Sequence, residues 1–338
     1  MNIYKPIFQP TAHLYKLLEQ ISAVRERVQN SLIKVPWVPS LVIEARARLV
    51  WGSTAIEGCT LSLEAVQGLL EGKEAIGYPG RDVQMAKNYI KTLSWIQKWE
   101  KHAIVKEADI FKLHAILAEG AVDEGPAGSY RKQNVRAGLH VAPNWKEVPK
   151  LMQGLLTWLN EPAKQLPAIF SSAILHLRFV EIHPFRDGNG RLGRLLATWE
   201  LYRKGFDLLH IFALDEVLLE HREFYIKNLQ RGQVEKEDLG GWLEFIAETI
   251  LETLERIEKR ITAIGMVDKK PISLTMRQEK LLNILREKGQ LSISDIASSL
   301  KITVPGAHYV MKPLLQHGLI TRLGSHKQTR YVLTSQNK

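Results

Sequence analysis

The chain has 338 residues, enough for two or three domains, and its 45% hydrophobic and 24% charged content is that of a soluble globular protein, not a disordered one. No run of 18 apolar residues occurs, which excludes a helical membrane span, and Cys59 is the single cysteine, which excludes an intrachain disulfide. The net charge is +10, and residues 269–338 carry +9 of it (12 Lys/Arg against 3 Asp/Glu), leaving +1 for everything before them.

Met1-Asn2-Ile3-Tyr4-Lys5-Pro6 lacks the apolar core of a signal peptide, so the expected location is the cytoplasm, with no membrane partner. Leu14–Val35 and Ser40–Trp51 place apolar residues three and four apart, which predicts helices. Ser62 suits the N-cap of a short helix running to Glu71, and Asp82–Lys101 continues the helical period. Trp51, Trp95 and Trp99 are expected in the core. A second region begins near Glu107 with a helix over Ile110–Leu117. Gly128-Ser129-Tyr130-Arg131 then leads into Asn134–Pro143, where Val135 and His140-Val141 suit extended structure. Ile174–Ile182 fits helix or strand by period alone.

The next stretch is the most informative: His183-Pro184-Phe185-Arg186-Asp187-Gly188-Asn189-Gly190-Arg191-Leu192-Gly193-Arg194. Gly188 and Gly190 let the backbone turn and point N–H groups inward as an anion nest. A helix is expected from Arg191 onward, so the loop ends on a helix N-terminus, whose unpaired N–H groups favour phosphate. Arg191 and Arg194 share a helix face and can both fork onto phosphate oxygens. Asp187 is a hard oxygen ligand suited to Mg2+, and His183 can be a neutral base near pH 7. Gly188, Gly190 and Gly193 also spell G-x-G-x-x-G. The dinucleotide reading of that pattern requires a preceding strand and a βαβ rhythm, and the surrounding sequence shows no such rhythm.

The twelve-residue run resembles the Fic family signature H-P-F-x-(D/E)-G-N-G-R-x-x-R at every defined position. The resemblance implies a mainly α fold, a Fic-type helical bundle with a β-hairpin flap. It also implies a protein adenylyltransferase moving AMP from ATP to a Ser, Thr or Tyr hydroxyl, with ATP and Mg2+ as its cofactors. In this family's terms His183 would be the base, and Asp187 would hold Mg2+. Asn189 with the backbone of Gly188 and Gly190 would cradle the α- and β-phosphates. Arg191 would meet the β-phosphate and Arg194 the γ-phosphate, and Phe185 would anchor the loop in the core. Asn134–Pro143 would be the flap, with Val135, Gly138, His140 and Val141 docking an extended target segment by strand addition. Tyr225 and Asn228, on the helical stretch from Arg222, would sit near the adenine. Ser53-Thr54-Ala55-Ile56-Glu57-Gly58 fits the family's inhibitory motif (S/T)-x-x-x-E-(G/N), which implies that Glu57 pairs with Arg194 and blocks the γ-phosphate. The same residues are compatible with Glu57 acting within one chain or across a homodimer, and with a bifunctional enzyme that also removes AMP.

After the helical pattern of Ile250–Ile264, a hinge is expected at Gly265–Pro271, and the basic tail reads as a winged helix-turn-helix domain. Its expected parts are helix Met276–Lys288 ending at Gly289, strand Leu291–Ile293, and helix Asp295–Leu300 capped by Ser294. A helix capped by Thr303 and ended by Gly318 follows, with Pro313 expected to kink it. Ile320–Arg322 and Tyr331–Leu333 would form a hairpin around the wing turn Gly324–Gln328. His308, Tyr309 and Lys312 on the recognition face, and Lys327 and Arg330 on the wing, are the candidate DNA contacts. Such domains also bind protein or dimerise, and the pattern leaves that alternative open. The expected organisation is an N-terminal helical region over 1–106, a catalytic core over 107–264 and the winged helix over 270–336. The alternative to an enzyme is a DNA-binding or toxin–antitoxin-type regulator whose core senses nucleotide.

Overall fold

Apolar residues spaced three and four apart become helix along most of the chain. The computed structural model describes residues 3–32, 38–100, 104–121, 125–207, 209–234, 238–267, 275–316, 319–323 and 329–334. Two compact units are present: residues 1–30 with 40–260, and residues 31–39 with 261–338. The first holds α1 (Ala12–Leu32), α2 (Val38–Ile56), α3 (Leu63–Leu70), α4 (Gly80–Lys98) and α5 (Glu107–Ala118), with α1 running on to its last residues in the second grouping. A minimal hairpin, β1 (Arg136–Ala137) and β2 (His140–Val141), comes next. It is followed by α6 (Val148–Asn160), α7 (Ala168–Ile182), α8 (Asn189–Arg203), α9 (Leu214–Glu220), α10 (Arg222–Val234) and α11 (Gly240–Val267). Ser62 caps α3 as expected, its Oγ accepting from the Ala65 N–H at 3.2 Å. Gly265–Val267, part of the expected hinge, lies within α11, and residues 268–271 fall outside the described ones.

The centre of this unit is the antiparallel-packed pair α7 and α8. Both are buried nearly all round, which suits helices wrapped by others on every side. Ile174–Ile182 is therefore helix, and this ends the dinucleotide reading, since no strand precedes the glycine loop. Gly193 has a packing role: a Cβ there would lie 2.8 Å from Val180 Cγ2 and 3.3 Å from His176 Cδ2. Trp95 and Trp99 stack at 4.9 Å beside the buried Trp199, but they and Trp51 are half-buried rather than in the core as expected.

The second unit contains α12 (Met276–Lys288), β3 (Gln290–Leu291), α13 (Ile293–Leu300), α14 (Val304–Gln316), β4 (Ile320–Leu323) and β5 (Arg330–Leu333). Its sheet order is β3-β5-β4, all antiparallel, with Ile320 opposite Leu333 and Leu291 opposite Tyr331. A small apolar core joins Leu281, Leu285, Ile296, Met311, Leu314 and Ile320. One expected boundary is corrected. Ser292, not Ser294, caps α13: its Oγ accepts from the Asp295 N–H at 3.2 Å, while Asp295 returns the bond to the Ser292 N–H at 2.9 Å. This reciprocal box fixes the helix start two residues earlier than expected and shortens the strand to Gln290–Leu291. Pro313 sits inside α14. Gly318, the wing turn Gly324–Gln328 and with it Lys327 lie outside the described residues.

Candidate active site

The twelve-residue run joins α7 to α8, and its shape follows from three unusual backbone positions. His183 caps α7 in the left-handed region (φ 49°), a conformation that L-residues seldom adopt and that something must hold. Arg131 holds it. This buried guanidinium donates from Nε to the His183 carbonyl (2.8 Å) and from Nη2 to the carbonyls of Pro143 (2.6 Å) and Ile182 (3.4 Å). Its own N–H donates to the Pro184 carbonyl at 2.9 Å. One side chain thus ties the flap's far end to the base of the loop.

Gly188 turns the chain at φ 79° and caps α8, whose first N–H groups are left facing the loop. Asn189 is buried, and its side chain bridges both backbone groups of Phe185, accepting from its N–H and donating to its carbonyl, each at 2.9 Å. Its carboxamide clamps the loop, so what Asn189 offers a ligand is backbone. Phe185 is fully buried, as expected of an anchor, and stacks flat on His114 at 3.7 Å. His114 accepts the Gly128 N–H on Nδ1 (2.9 Å) and so donates from Nε2 to the Asp187 carbonyl (3.0 Å). Burial pushes its pKa down to about 4, which keeps this bridge neutral. His114 carries no motif; in the sequence, a histidine on an amphipathic helix looks like any other residue of that helix.

His183 directs Nδ1 at the Val180 carbonyl, 3.3 Å away. Facing an acceptor, Nδ1 carries the proton, which leaves Nε2 as the basic nitrogen. Burial lowers the pKa to about 4, so the ring is neutral at pH 7. Asp187 is partly exposed; its Oδ1 accepts from the Gly188 N–H at 2.5 Å and lies 3.4 Å from Arg191 Nη2. Arg191 is 2% exposed, and its Nε and Nη1 are buried with no hydrogen-bond partner among the described residues. Burying guanidinium donors unpaired is costly, so this arrangement suits an anion.

Arg194 is saturated by contrast. Nε donates to Ser53 Oγ (2.9 Å), and Nη2 donates to the Ser53 carbonyl (2.9 Å) and to Glu57 Oε1 (2.8 Å). Nη1 lies 3.4 Å from the Tyr225 hydroxyl, and Asp215 Oδ2 is 3.7 Å from Nε. Burial alone would lower the Arg194 pKa, but the surrounding oxygens of Tyr225, Glu57, Asp215 and Tyr89 raise it above its ordinary value. Glu57 follows directly on α2, with Gly58 turning at φ 88° behind it. Its carboxylate also occupies the space that any side chain at position 190 would need.

The two residues expected near the base both lie on α10. Tyr225 is fully buried, with its hydroxyl against His176 Nε2 (3.0 Å) and Arg194, so it serves the arginine pocket rather than an open cleft. Asn228 donates to the Phe224 carbonyl within its own helix (2.9 Å). A cleft of about 380 Å³ does border α10, but Leu139, His140, Lys227, Gln230, Arg231, Gln233 and Val234 line it. The flap pairs Arg136 with Val141 and Ala137 with His140, turns at Gly138 (φ 58°), and is closed by the Ala142 N–H donating to the Val135 carbonyl at 3.3 Å. Leu139 and Val141 are more than two-thirds exposed, and His140 Nε2 contacts the Glu181 carbonyl at 2.8 Å. In the other unit His308, Tyr309 and Lys312 are exposed on α14, and Arg330 on β5 lies 3.8 Å from Asp295.

Comparison with known proteins agrees with this geometry: residues 104–201 match the Fic/DOC family. Residues 104–201 form a Fic domain. Residues 274–332 match the MarR family, which supports the winged helix. Among curated proteins, those named Protein adenylyltransferase Fic from Drosophila willistoni and Aedes aegypti are each 31% identical over 220 and 218 residues, 63% of this chain. The matches cover 41% and 42% of those relatives, so the chain spans about two-fifths of their length. Among solved structures, a Fic family protein from Desulfovibrio desulfuricans G20 superposes with a TM-score of 0.68 at 28% identity, covering 99% of this chain and 100% of that one. Fic-1 from C. elegans gives 0.62 at 23% identity, over 74% and 73% of the two chains, and shows the shared fold.

Proposed function

We propose that this protein is an adenylyltransferase that moves AMP from ATP to a protein hydroxyl, and that Glu57 holds it in check. The observation that carries the reading is the pair of arginines at the start of α8. Arg191 has two buried donors without partners among the described residues, and Arg194 has a carboxylate where a phosphate would otherwise sit. The triphosphate would lie across the N–H groups that open α8, with Arg191 on the β-phosphate and Arg194 on the γ-phosphate. The base would enter the cleft between the flap and α10, and an extended target segment would pair with the flap edge beside Leu139 and Val141.

Asp187 is the residue that would hold Mg2+, through a carboxylate still partly open to solvent; the ion would neutralise charge on the phosphates. The target hydroxyl oxygen forms its bond to the α-phosphorus as the bond to pyrophosphate breaks. The proton passes to His183 Nε2, which the Val180 contact and burial keep unprotonated beforehand. Glu57 acts by competition: a charge-assisted bond of roughly 1.5–3 kcal/mol gates the γ-phosphate site about 10- to 150-fold.

The test is AMP incorporation from α-labelled ATP with magnesium, read by self-labelling. Glu57→Gly should label strongly, wild type weakly, and Glu57→Gly/His183→Ala not at all. Absence of labelling in all three, with ATP bound, removes the transferase reading.

A second reading concerns the tail. Its charge of +9 and the exposed His308, Tyr309 and Lys312 on α14 favour DNA as the partner. Duplex binding that weakens steeply between low and physiological salt supports it; no binding at low salt removes it.

A further inference from the structure

Arg194 has two carboxylates, and they are held in opposite ways. Glu57 is the outer one: its side chain is 36% exposed, it follows the last residue of α2, and Gly58 behind it has open space around its Cα. Asp215 is the inner one, 1% exposed, at the first turn of α9. Its Oδ2 accepts from the Tyr89 hydroxyl at 3.1 Å, and Ser53 also hydrogen-bonds its carboxylate. Its backbone presses directly on α2 at Gly52, where a Cβ would collide with the Asp215 carbonyl. Glu57 can therefore swing away without repacking the core, whereas Asp215 cannot move without unseating α2 from α9.

A guanidinium that is 1% exposed cannot lose its only counter-ion cheaply. If Glu57 were alone, its departure would leave Arg194 free to turn or to collapse onto the nearest acceptor. With Asp215 fixed beside Nε, the cation keeps a partner, and its Nη2 corner is the one that Glu57 vacates. The outer place then passes from one anion to another, from the Glu57 carboxylate to a phosphate.

We propose that Asp215 is the positioning residue of Arg194: it holds the guanidinium in its phosphate-facing orientation when Glu57 withdraws, and so sets the preference for a nucleoside triphosphate over a diphosphate. This rests on the adenylyltransferase reading, in which Arg194 meets the γ-phosphate. Asp215 touches no substrate; it acts through Arg194.

The experiment compares Glu57→Gly with Glu57→Gly/Asp215→Asn, measuring Kd for ATP and for ADP with magnesium, and KM and kcat for AMP transfer. The double variant should bind ATP about tenfold more weakly and hold ADP within about twofold. KM for ATP should rise by a similar factor while kcat changes by less than about threefold. Tyr89→Phe in the Glu57→Gly background, which keeps the charge and removes one hydrogen bond, should shift ATP in the same direction by a smaller factor. It also serves where the Asn variant does not fold. Equal weakening of ATP and ADP, no change in either, or tighter ATP binding overturns the role of Asp215. A Glu57→Gly protein that transfers no AMP overturns the underlying reading instead.

Discussion

Arg191 and Arg194 are each 2% exposed, and every donor on them is either bonded to a named partner or left conspicuously open. Lys312 and Arg330 of the winged helix stand in solvent, with one ion pair at 3.8 Å between Arg330 and Asp295. Both regions are cationic and both are read as meeting phosphates, but they work under different dielectric conditions. In the buried loop each charge meets a few specific partners, so one substitution alters a specific step. On the exposed helix the charges add into a screened field, so one substitution shifts affinity a little and salt shifts it more. The loop should therefore respond to mutation in an all-or-none fashion and the tail in a graded one.

The largest expected effect breaks the chemistry alone. His183→Ala in the Glu57→Gly protein should reduce AMP transfer by about 10³-fold or more while ATP affinity stays within about twofold. Comparable transfer by the mutant would remove His183 from the mechanism. Next comes Arg131→Ala, which deletes the bonds to His183, Ile182 and Pro143. It should lower stability by about 2–4 kcal/mol, read by urea unfolding. Arg136→Ala, at an exposed residue whose Nε donates to the nearby Gly138 carbonyl at 3.0 Å, should stay within roughly 0.5 kcal/mol. Equal losses would mean that burial is not what separates them.

Acid tests the same contrast. Burial lowers His114 and His183 to about 4 and His176 to about 3, against 6.5 unfolded. Below pH 6.5 the unfolded chain takes up protons that the folded site refuses, so stability is full above that value and falls as pH drops toward 4 and then 3. Each histidine costs up to about 1.4 kcal/mol per pH unit in that window. Replacing His176 by Gln should flatten the slope of unfolding free energy between pH 6 and 4; an unchanged slope would show that His176 is not buried neutral. The smallest effect belongs to the tail. Lys312→Ala should weaken duplex binding only about two- to fivefold and reduce the salt slope by about 1, whatever the DNA sequence. A loss specific to one sequence would mean that Lys312 reads a base.

Much of the fold was legible because helical periodicity is a local property. The spans around α2, α4, α5 and α12 were found within a few residues, and Ser62 and Gly289 fall where the capping rules put them. The miss at Ser292 has a local cause: Ser294 and Ser292 are both competent caps, and the reciprocal bond with Asp295 chose between them. The candidate site divides differently. His183, Asp187, Arg191 and Arg194 lie in one run and were visible together. Arg131 ends the Gly128-Ser129-Tyr130-Arg131 run that leads into the flap and was visible as such, whereas His114 and Asp215 come from other parts of the chain and carry no motif.

The sequence by itself determined the helical elements, the glycine turn at Gly188, the basic character of the tail and the cluster of phosphate-binding residue types, because each depends on neighbours a few positions apart. Only the tertiary structure decided which of those groups are free. It turned Tyr225 inward to the arginine, committed the Asn189 side chain to the loop, and left Arg191 with open donors. It brought Glu57 and Asp215 to the same guanidinium from 137 residues before it and from the helix after α8. Burial is the physical reason: once water is removed, a charged group must be matched by partners that the chain can supply only by folding.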